Sequence, residues 1–189
     1  MELLEILNIK KYDTDKHTVH AYIQEYYEQT FFPYKNKITN LLEIGVLKGE
    51  SLKLWRDYFS KGEIVGIDIF KRVSYEYVSN NLKGLDIQLD MVDSFQDDLF
   101  NINNRNNFIE KYQDKKFDII IDDGLHTGEA QYKSFKNFSS LVNKGGVYVI
   151  EDVRDESVEF LSQINNIKFL HLSDKGHPLG KQYIAEIKF

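Results

Sequence analysis

The sequence has no cysteine and no long hydrophobic run. Without cysteine the protein forms no disulfides, uses no thiolate nucleophile and binds no zinc through sulfur. No apolar run approaches the roughly 20 residues of a membrane-spanning helix. The first residues, MELLEIL, are too acidic and too short to be a signal peptide. We therefore expect a cytoplasmic protein that does not enter a membrane.

Positive charge is also scarce: 24 Lys and Arg stand against 30 Asp and Glu, which gives a formal net charge of −6. Nucleic-acid-binding proteins normally present a basic surface, so this balance disfavours DNA or RNA as a partner. A length of 189 residues is enough for one domain with a real core and short for two. We predict a single domain over residues 1–189.

The N-terminal part has two predicted helices, 2–9 and 18–32. Tyr22, Tyr26 and Tyr27 lie on the apolar face of the second helix, and we expect them to pack in the core rather than bind a ligand. The polar segment between the helices, Lys11–His17, is expected to lie outside the core.

From residue 40 onward, Ile- and Val-rich runs alternate with helical stretches, a pattern that predicts a parallel sheet covered on both faces. The predicted strands are 40–44, 64–69, 86–91, 117–122 and 146–150, and the predicted helices are 50–60, 105–114, 129–142 and 154–164. The last two runs, 167–172 and 182–189, have no helix between them and predict an antiparallel hairpin at the sheet edge.

The predicted fold is therefore α/β. It is a Rossmann-like, doubly wound sheet of seven strands, five parallel plus the C-terminal antiparallel hairpin. Residues 1–37 are predicted as a helical N-terminal extension and residues 38–189 as the core.

Acidic side chains and a histidine follow the fourth and fifth predicted strands. Asp123 and His126 come after the first of these strands, and Glu151 and Asp152 come after the second. The carboxyl ends of neighbouring parallel strands lie at one edge of a sheet, so these side chains should converge. Oxygen ligands favour Mg²⁺ or Mn²⁺ over zinc, and a nearby histidine can act as general base. The other interpretation is that the acids cap the helices that follow.

A glycine turn joins the first strand of the sheet to the next helix, where open α/β sheets bind cofactors. Gly45 and Gly49 would let the backbone approach a ligand closely. The turn departs from the dinucleotide fingerprint, because Leu47 stands where the second glycine belongs. It departs from a P-loop because Glu50 follows the glycine.

Further acids follow the next two strands: Asp68 ends the second strand, and Asp93-Ser94 follow the third. An acid at the position of Asp68 can accept hydrogen bonds from both hydroxyls of a ribose, and Asp93-Ser94 are well placed for an adenine edge. Taken singly, Gly45 as a turn residue and Asp68 as a helix cap are equally good interpretations. Their order on successive strands favours a nucleoside-type cofactor.

The series Glu43-x-Gly45-x-x-x-Gly49, then Asp68, then Asp93, resembles the motifs of class I S-adenosylmethionine-dependent methyltransferases over about residues 38–189. The resemblance implies S-adenosyl-L-methionine as cofactor. Its methionine part would lie at the glycine turn, its ribose at Asp68 and its adenine at Asp93.

The spacing Asp123-x-x-His126 … Glu151-Asp152 is similar to that of metal-dependent O-methyltransferases, both the catechol type and, more closely, those that methylate macrolide sugars. The resemblance implies that Asp123, Glu151 and Asp152 bind the metal and that His126 is the catalytic base.

The segment Thr14–Tyr22 resembles a part of the same sugar-methylating family that tends to fold over the cofactor pocket. We therefore assign Asp15 and Lys16 to the cofactor site. His17 and His20 lie on this segment and are candidates for lining the substrate pocket.

We thus predict an S-adenosylmethionine- and Mg²⁺-dependent (or Mn²⁺-dependent) O-methyltransferase that acts on a hydroxyl of a sugar or glycosylated small molecule. An alcohol is a poor nucleophile at neutral pH, and a divalent cation acidifies and orients it. The alternatives are a metal-independent methyltransferase of another small-molecule acceptor and a domain that holds the cofactor without turnover. The sequence leaves open the acceptor, homo-oligomer formation and the role of His177.

Overall fold

The computed structural model describes residues 1–172 and 182–189, in which seven strands form one sheet of order β3-β2-β1-β4-β5-β7-β6. The strands are β1 Leu41–Ile44, β2 Ile64–Asp68, β3 Gln88–Met91, β4 Phe117–Asp122, β5 Val142–Arg154, β6 Lys168–His171 and β7 Gln182–Lys188. Strands β1 to β5 run parallel, and β7 is antiparallel to both β5 and β6. The predicted sheet is confirmed, with β6 as the edge strand because β7 lies between β5 and β6.

The helices are α1 Leu3–Lys10, α2 Asp15–Thr18, α3 Glu28–Phe31, α4 Glu50–Tyr58, α5 Tyr75–Asn81, α6 Leu99–Tyr112, α7 Gly128–Phe138 and α8 Asp155–Leu161. A π-helical stretch, Ile23–Tyr27, leads into α3, and 3-10 turns at Phe32–Tyr34 and Ser139–Leu141 follow α3 and α7. Among the described residues, no helix is both long enough and apolar enough to cross a membrane.

Helix α5 is absent from the sequence prediction. Val78 is its only buried residue, so it shows no apolar periodicity, and it begins instead at a polar cap. Ser74 accepts a hydrogen bond from the backbone N–H of Tyr77 at 3.2 Å. The predicted helix 18–32 is divided, because α2 ends at Thr18 and helical structure resumes only at Ile23.

Helices cover both faces of the sheet and bury a separate apolar layer on each. One layer packs α1, the π-helical stretch and α4 against the sheet around Tyr27 and Trp55. The other packs α6, α7 and α8 around Tyr112 and Phe138. Within β4, Ile119 and Ile121 belong to the first layer and Ile120 to the second. Burial on both sides explains why these strands read as continuous apolar runs.

The polar connector Lys11–His17 does not lie wholly outside the core, which corrects the sequence prediction. Residues Asp15–Thr18 form α2, and the side chains of Thr14 and Lys16 are buried. Polarity misleads here because Lys16 is buried against carboxylates rather than against apolar side chains.

Candidate active site

Three of the predicted side chains meet at the carboxyl ends of β4 and β5. The Nε2 atom of His126 is 3.9 Å from Asp123 Oδ1 and 3.7 Å from Asp152 Oδ2. The ligand atoms of the three residues lie within 4.8 Å of one another. The side chains keep partial access to solvent, with 21% of Asp123, 15% of Asp152 and 28% of His126 exposed. Two carboxylate oxygens and an imidazole nitrogen at this spacing fit around one divalent cation.

A bulge in β5 sets the direction of the acids on this strand. The register against β7 shifts after Ile150, so that Glu151 and Asp152 together oppose one residue, Ile184. Asp152 has a φ of 52°, in the left-handed region, which is uncommon for a residue other than glycine. Consecutive side chains alternate across a regular strand. Here, however, both carboxylates contact the N-terminal segment (residues 1–37): Glu151 binds Lys16, and Asp152 binds Tyr22.

The interpretation of these acids as helix caps is wrong. Thr127 caps α7, because its side chain accepts a hydrogen bond from the backbone N–H of Ala130. Helix α8 begins after Arg154, which has no side-chain cap bond of its own and which separates Asp152 from the first turn. The position of Asp123 and Asp152 therefore owes nothing to capping.

Lys16 lies among the acids, with only 1% of its side chain exposed. Its Nζ atom is 2.6 Å from Asp123 Oδ2, 2.6 Å from Glu151 Oε2 and 3.4 Å from Glu43 Oε1. Burial lowers the pKa of an amine, but the neighbouring carboxylates outweigh it and raise the pKa of Lys16 well above its ordinary value. The neighbouring carboxylates thus favour the charged form of the buried Lys16.

Glu151, a predicted metal ligand, has both carboxylate oxygens engaged by the N-terminal segment. Oε2 accepts a hydrogen bond from Lys16 at 2.6 Å, and Oε1 accepts one from the hydroxyl of Tyr27. Burial raises the pKa of Glu151 well above its ordinary value, although Lys16 opposes this. Its role as a metal ligand stays a prediction, since its contacts here are those of a partner for Lys16.

The three tyrosines of the N-terminal segment combine packing with hydrogen bonding to acids. Their rings are buried as predicted. Each hydroxyl also donates to a carboxylate: Tyr22 to Asp152, Tyr26 to Glu186 and Tyr27 to Glu151. Burial raises the pKa of all three phenols, which keeps them protonated as donors. The sequence signal for this role is a row of hydroxyl-bearing rings on an otherwise apolar face.

The glycine turn that follows β1 packs directly against the backbone of Asp123 at the end of β4. Gly45 has a φ of +84°, and a Cβ added to it would lie 2.2 Å from the backbone oxygen of Asp123. Gly49 has a φ of +83°, and a Cβ there would meet the side chain of Leu82 at 3.1 Å. The close approach predicted for Gly45 is therefore real, but its neighbour is protein backbone. This contact fixes the distance between the turn and Asp123.

Glu43 lies beneath the turn and is fully buried. Its Oε2 accepts hydrogen bonds from Ser51 Oγ at 2.9 Å and Trp55 Nε1 at 3.2 Å. Burial raises its pKa to about 7, although Lys16 opposes the shift. Glu43 thus supports the turn and Lys16 from below, and its cofactor contact stays a prediction.

Asp68 is not a helix cap, because its carboxylate binds the two loops that flank the crevice. Oδ2 accepts a hydrogen bond from the N–H of Val46 at 2.9 Å, and Oδ1 accepts one from the N–H of Phe70 at 2.7 Å. Each carboxylate oxygen has a second lone pair for a ligand hydroxyl. Asp93 is held similarly, with Oδ1 accepting from the N–H of Gln96 at 2.9 Å.

One cavity of about 750 Å³ extends from the glycine turn to the acidic cluster, which is the group Asp123, His126 and Asp152. This volume is typical of small-molecule sites. The predicted residues that line it are Asp15, Lys16, Gly45, Asp68, Asp93, Ser94, Asp123 and His126. Glu43, Gly49, Glu151 and Asp152 do not line it. The cofactor residues and the candidate base therefore share a single chamber.

The other histidines do not line this cavity, as far as the structure describes them. The Nε2 atom of His20 is 3.6 Å from Asp152 Oδ1, and its ring stacks on Tyr22. His17 Nδ1 is 2.6 Å from Gln24 Nε2. His177 lies outside the described residues.

Comparison with known proteins identifies the family. A family model described as a methyltransferase domain matches residues 42–153. The chain belongs to this methyltransferase family. The match runs from β1 to the end of the bulge in β5, so it contains the glycine turn, Asp68 and the acidic cluster.

Curated relatives of this chain are named as O-methyltransferases. The 8-demethyl-8-(2-methoxy-alpha-L-rhamnosyl)-tetracenomycin-C 3′-O-methyltransferase of Streptomyces olivaceus is 30% identical over 153 residues, which cover 76% of this chain and 35% of the relative. The mycinamicin VI 2″-O-methyltransferase of Micromonospora griseorubida is 30% identical over 152 residues, which cover 76% of this chain and 34% of the relative. The chain thus spans about a third of the length of the curated relatives it matches.

A solved structure of the MycE methyltransferase from the mycinamycin biosynthetic pathway, in complex with Mg, SAH and mycinamycin VI, superposes on this chain with a TM-score of 0.64. It is 30% identical, and the match covers 80% of this chain and 37% of that chain.

Proposed function

We propose that this chain is an S-adenosylmethionine-dependent O-methyltransferase that requires Mg²⁺ or Mn²⁺ and methylates a hydroxyl of a sugar or glycosylated small molecule. One observation carries the proposal. A histidine and two carboxylate oxygens face one another at the edge of the cavity that contains the glycine turn. The relatives support the acceptor class, because their names include an O-methyltransferase of a rhamnosyl tetracenomycin and one of an L-olivosyl-oleandolide.

The donor substrate is assigned to the half of the cavity beside β1, β2 and β3. Asp68 would bind the ribose hydroxyls, and Asp93 with Ser94 would face the adenine. Gly45 and Gly49 would shape the turn around the methionine part, supported from below by Glu43. Asp15, on the N-terminal segment, lines the same cavity and would contact the donor.

The divalent cation is assigned to Asp123 and Asp152, whose free oxygens face each other beside His126. The donor set suits a hard cation because both ligand atoms are carboxylate oxygens with partial access to solvent. When bound, such a cation acidifies and orients an alcohol hydroxyl. Glu151 remains a candidate third ligand if its contact with Lys16 is exchanged.

His126 is assigned as the general base. Its Nε2 atom lies within 4 Å of both aspartates, so an acceptor hydroxyl placed between them is within reach of the imidazole. The acceptor oxygen forms the new bond to the methyl carbon as the carbon–sulfur bond breaks, and the hydroxyl proton passes to the imidazole.

Methyl transfer to a panel of methyl glycosides, followed by mass spectrometry with and without EDTA, tests this function. We expect activity that EDTA abolishes and Mg²⁺ restores. Asp123→Asn should remove the response to Mg²⁺, whereas Asp97→Asn, an exposed acid that pairs with Lys133 and does not line the cavity, should not. Activity that is indifferent to both EDTA and Asp123→Asn would refute the cation. Donor binding without transfer to any glycoside would indicate a non-catalytic domain.

Asp68→Ala is expected to weaken S-adenosylmethionine binding roughly tenfold to hundredfold, because charge-assisted hydrogen bonds to the ribose and the anchor of the Val46 N–H are lost together. Isothermal calorimetry measures the affinity. Asp90→Ala, on the neighbouring strand and paired with Lys111 at the surface, is the matched control and should bind normally. Equal affinity in both variants would contradict the ribose assignment.

A further inference from the structure

Lys16 contacts the acidic cluster directly, and its surroundings are those of an ion site. Its ammonium contacts the carboxylates of Asp123, Glu151 and Glu43, each from a different strand end, and it is almost completely buried. A metal ion at the same place would meet the same kind of donor. The ammonium therefore occupies the position of a counter-ion rather than that of a surface side chain.

The two oxygens of Asp123 face different partners. Oδ2 accepts a hydrogen bond from Lys16 at 2.6 Å, whereas Oδ1 faces His126 Nε2 at 3.9 Å. Asp152 is divided in the same way, since Oδ1 accepts from the hydroxyl of Tyr22 and Oδ2 faces His126 at 3.7 Å. The N-terminal segment thus engages one oxygen of each aspartate and leaves the other free.

Without an internal cation the acids would not tolerate this arrangement. Carboxylates removed from water repel one another, and an unpaired buried charge is strongly destabilising. A positive charge at Lys16 stabilises Asp123 and Glu151 when no metal ion is present.

We propose that Lys16 is a built-in counter-ion: its ammonium balances the charges of Asp123 and Glu151 while no divalent ion is bound. The inference rests on the cation site assigned above. Lys16 and the divalent ion bind different oxygens of Asp123, so both are present together. The ammonium thus stabilises the acids in the metal-free protein and repels the second cation.

The test is direct binding of Mn²⁺ to the full chain, measured by electron paramagnetic resonance of free Mn²⁺, with folding monitored by circular dichroism. Lys16→Met is expected to bind Mn²⁺ roughly tenfold or more tightly than the wild type, because a repelling unit charge a few ångströms away is gone. Lys48→Met is the matched control. Lys48 lines the same cavity but is half exposed and paired with Asp13 at the surface, so its removal should leave Mn²⁺ affinity unchanged.

The double variant Lys16→Met/Glu151→Gln tests whether the tighter Mn²⁺ binding comes from the lost positive charge or from the space left by the lysine side chain. It removes the ammonium together with one carboxylate, so its Mn²⁺ affinity should return toward that of the wild type. If the tightening persists in the double variant, charge is not the cause and the proposal is overturned.

The folding of Lys16→Met with and without Mn²⁺ also tests the role of Lys16. A Lys16→Met chain that unfolds in EDTA and folds with Mn²⁺ supports the proposal, since the metal then replaces the ammonium. A chain that is folded but binds Mn²⁺ equally or more weakly overturns it, and so does one that stays unfolded with Mn²⁺. Absence of Mn²⁺ binding by the wild type would instead refute the cation site itself.

Discussion

Replacement of His126 by alanine is expected to lower the rate of methyl transfer by about 10²–10⁴-fold, the usual contribution of a positioned general base. Donor affinity should stay the same, because His126 lies at the acidic end of the cavity, beside Asp123 and Asp152. Steady-state kinetics with a responsive glycoside gives the rate, and calorimetry with S-adenosylmethionine gives the affinity.

His171→Ala is the matched control, since His171 lies in the edge strand β6 with its ring against Tyr183. It should retain full activity. A parallel loss of rate and donor affinity in His126→Ala would show that His126 is structural. A loss of Mn²⁺ binding equal to the loss of rate would make the imidazole a metal ligand rather than the base.

Gly45→Ala is expected to destabilise the fold by more than about 3 kcal/mol, a size reserved for changes with a specific steric cause. An alanine at positive φ costs roughly 1–2 kcal/mol on its own. The added Cβ would also lie 2.2 Å from the backbone oxygen of Asp123, so that β1 and the end of β4 must separate. Urea unfolding followed by circular dichroism measures the change.

Gly84→Ala is the control that measures the cost of the left-handed backbone conformation alone. Gly84 has nearly the same φ, +85°, but a Cβ there meets nothing within 4 Å. It should lose only the roughly 1–2 kcal/mol of the left-handed conformation and bind donor and Mn²⁺ normally, whereas any folded Gly45→Ala should bind both weakly. Similar losses of stability in the two variants would mean that the contact between the turn and Asp123 is unimportant.

Much of the fold was predictable because the relevant signals are local. The parallel strands β1, β2 and β4 are buried on both faces and read as apolar runs, and their ends were placed to within a residue. β5 was harder: its apolar run covers 146–150, but the strand extends from Val142 to Arg154 through the bulge. Helix α5 was missed because a single buried residue, Val78, gives no periodicity.

The residues of the candidate site could be predicted from the sequence, but the hydrogen bonds and ion pairs among them could not. Asp123 and His126 follow β4, and Asp152 lies near the end of β5, just before Val153 and Arg154, so the topology brings the three together. That Glu151 is turned to Lys16 and Tyr27 could not be read from its position beside Asp152. The alternation of a regular strand gives no warning of a bulge with a left-handed residue.

The sequence by itself determined which segments are strands, the acids near their ends and the glycine turn beside them, because burial periodicity and strand ends are properties of neighbouring residues. Only the tertiary structure decided which carboxylate oxygens are free. That choice depends on Lys16, which is 107 positions from Asp123 and 135 from Glu151 along the chain. A buried charge is tolerated only when its partner lies beside it in the folded protein. No local sequence pattern shows which distant residue that partner is.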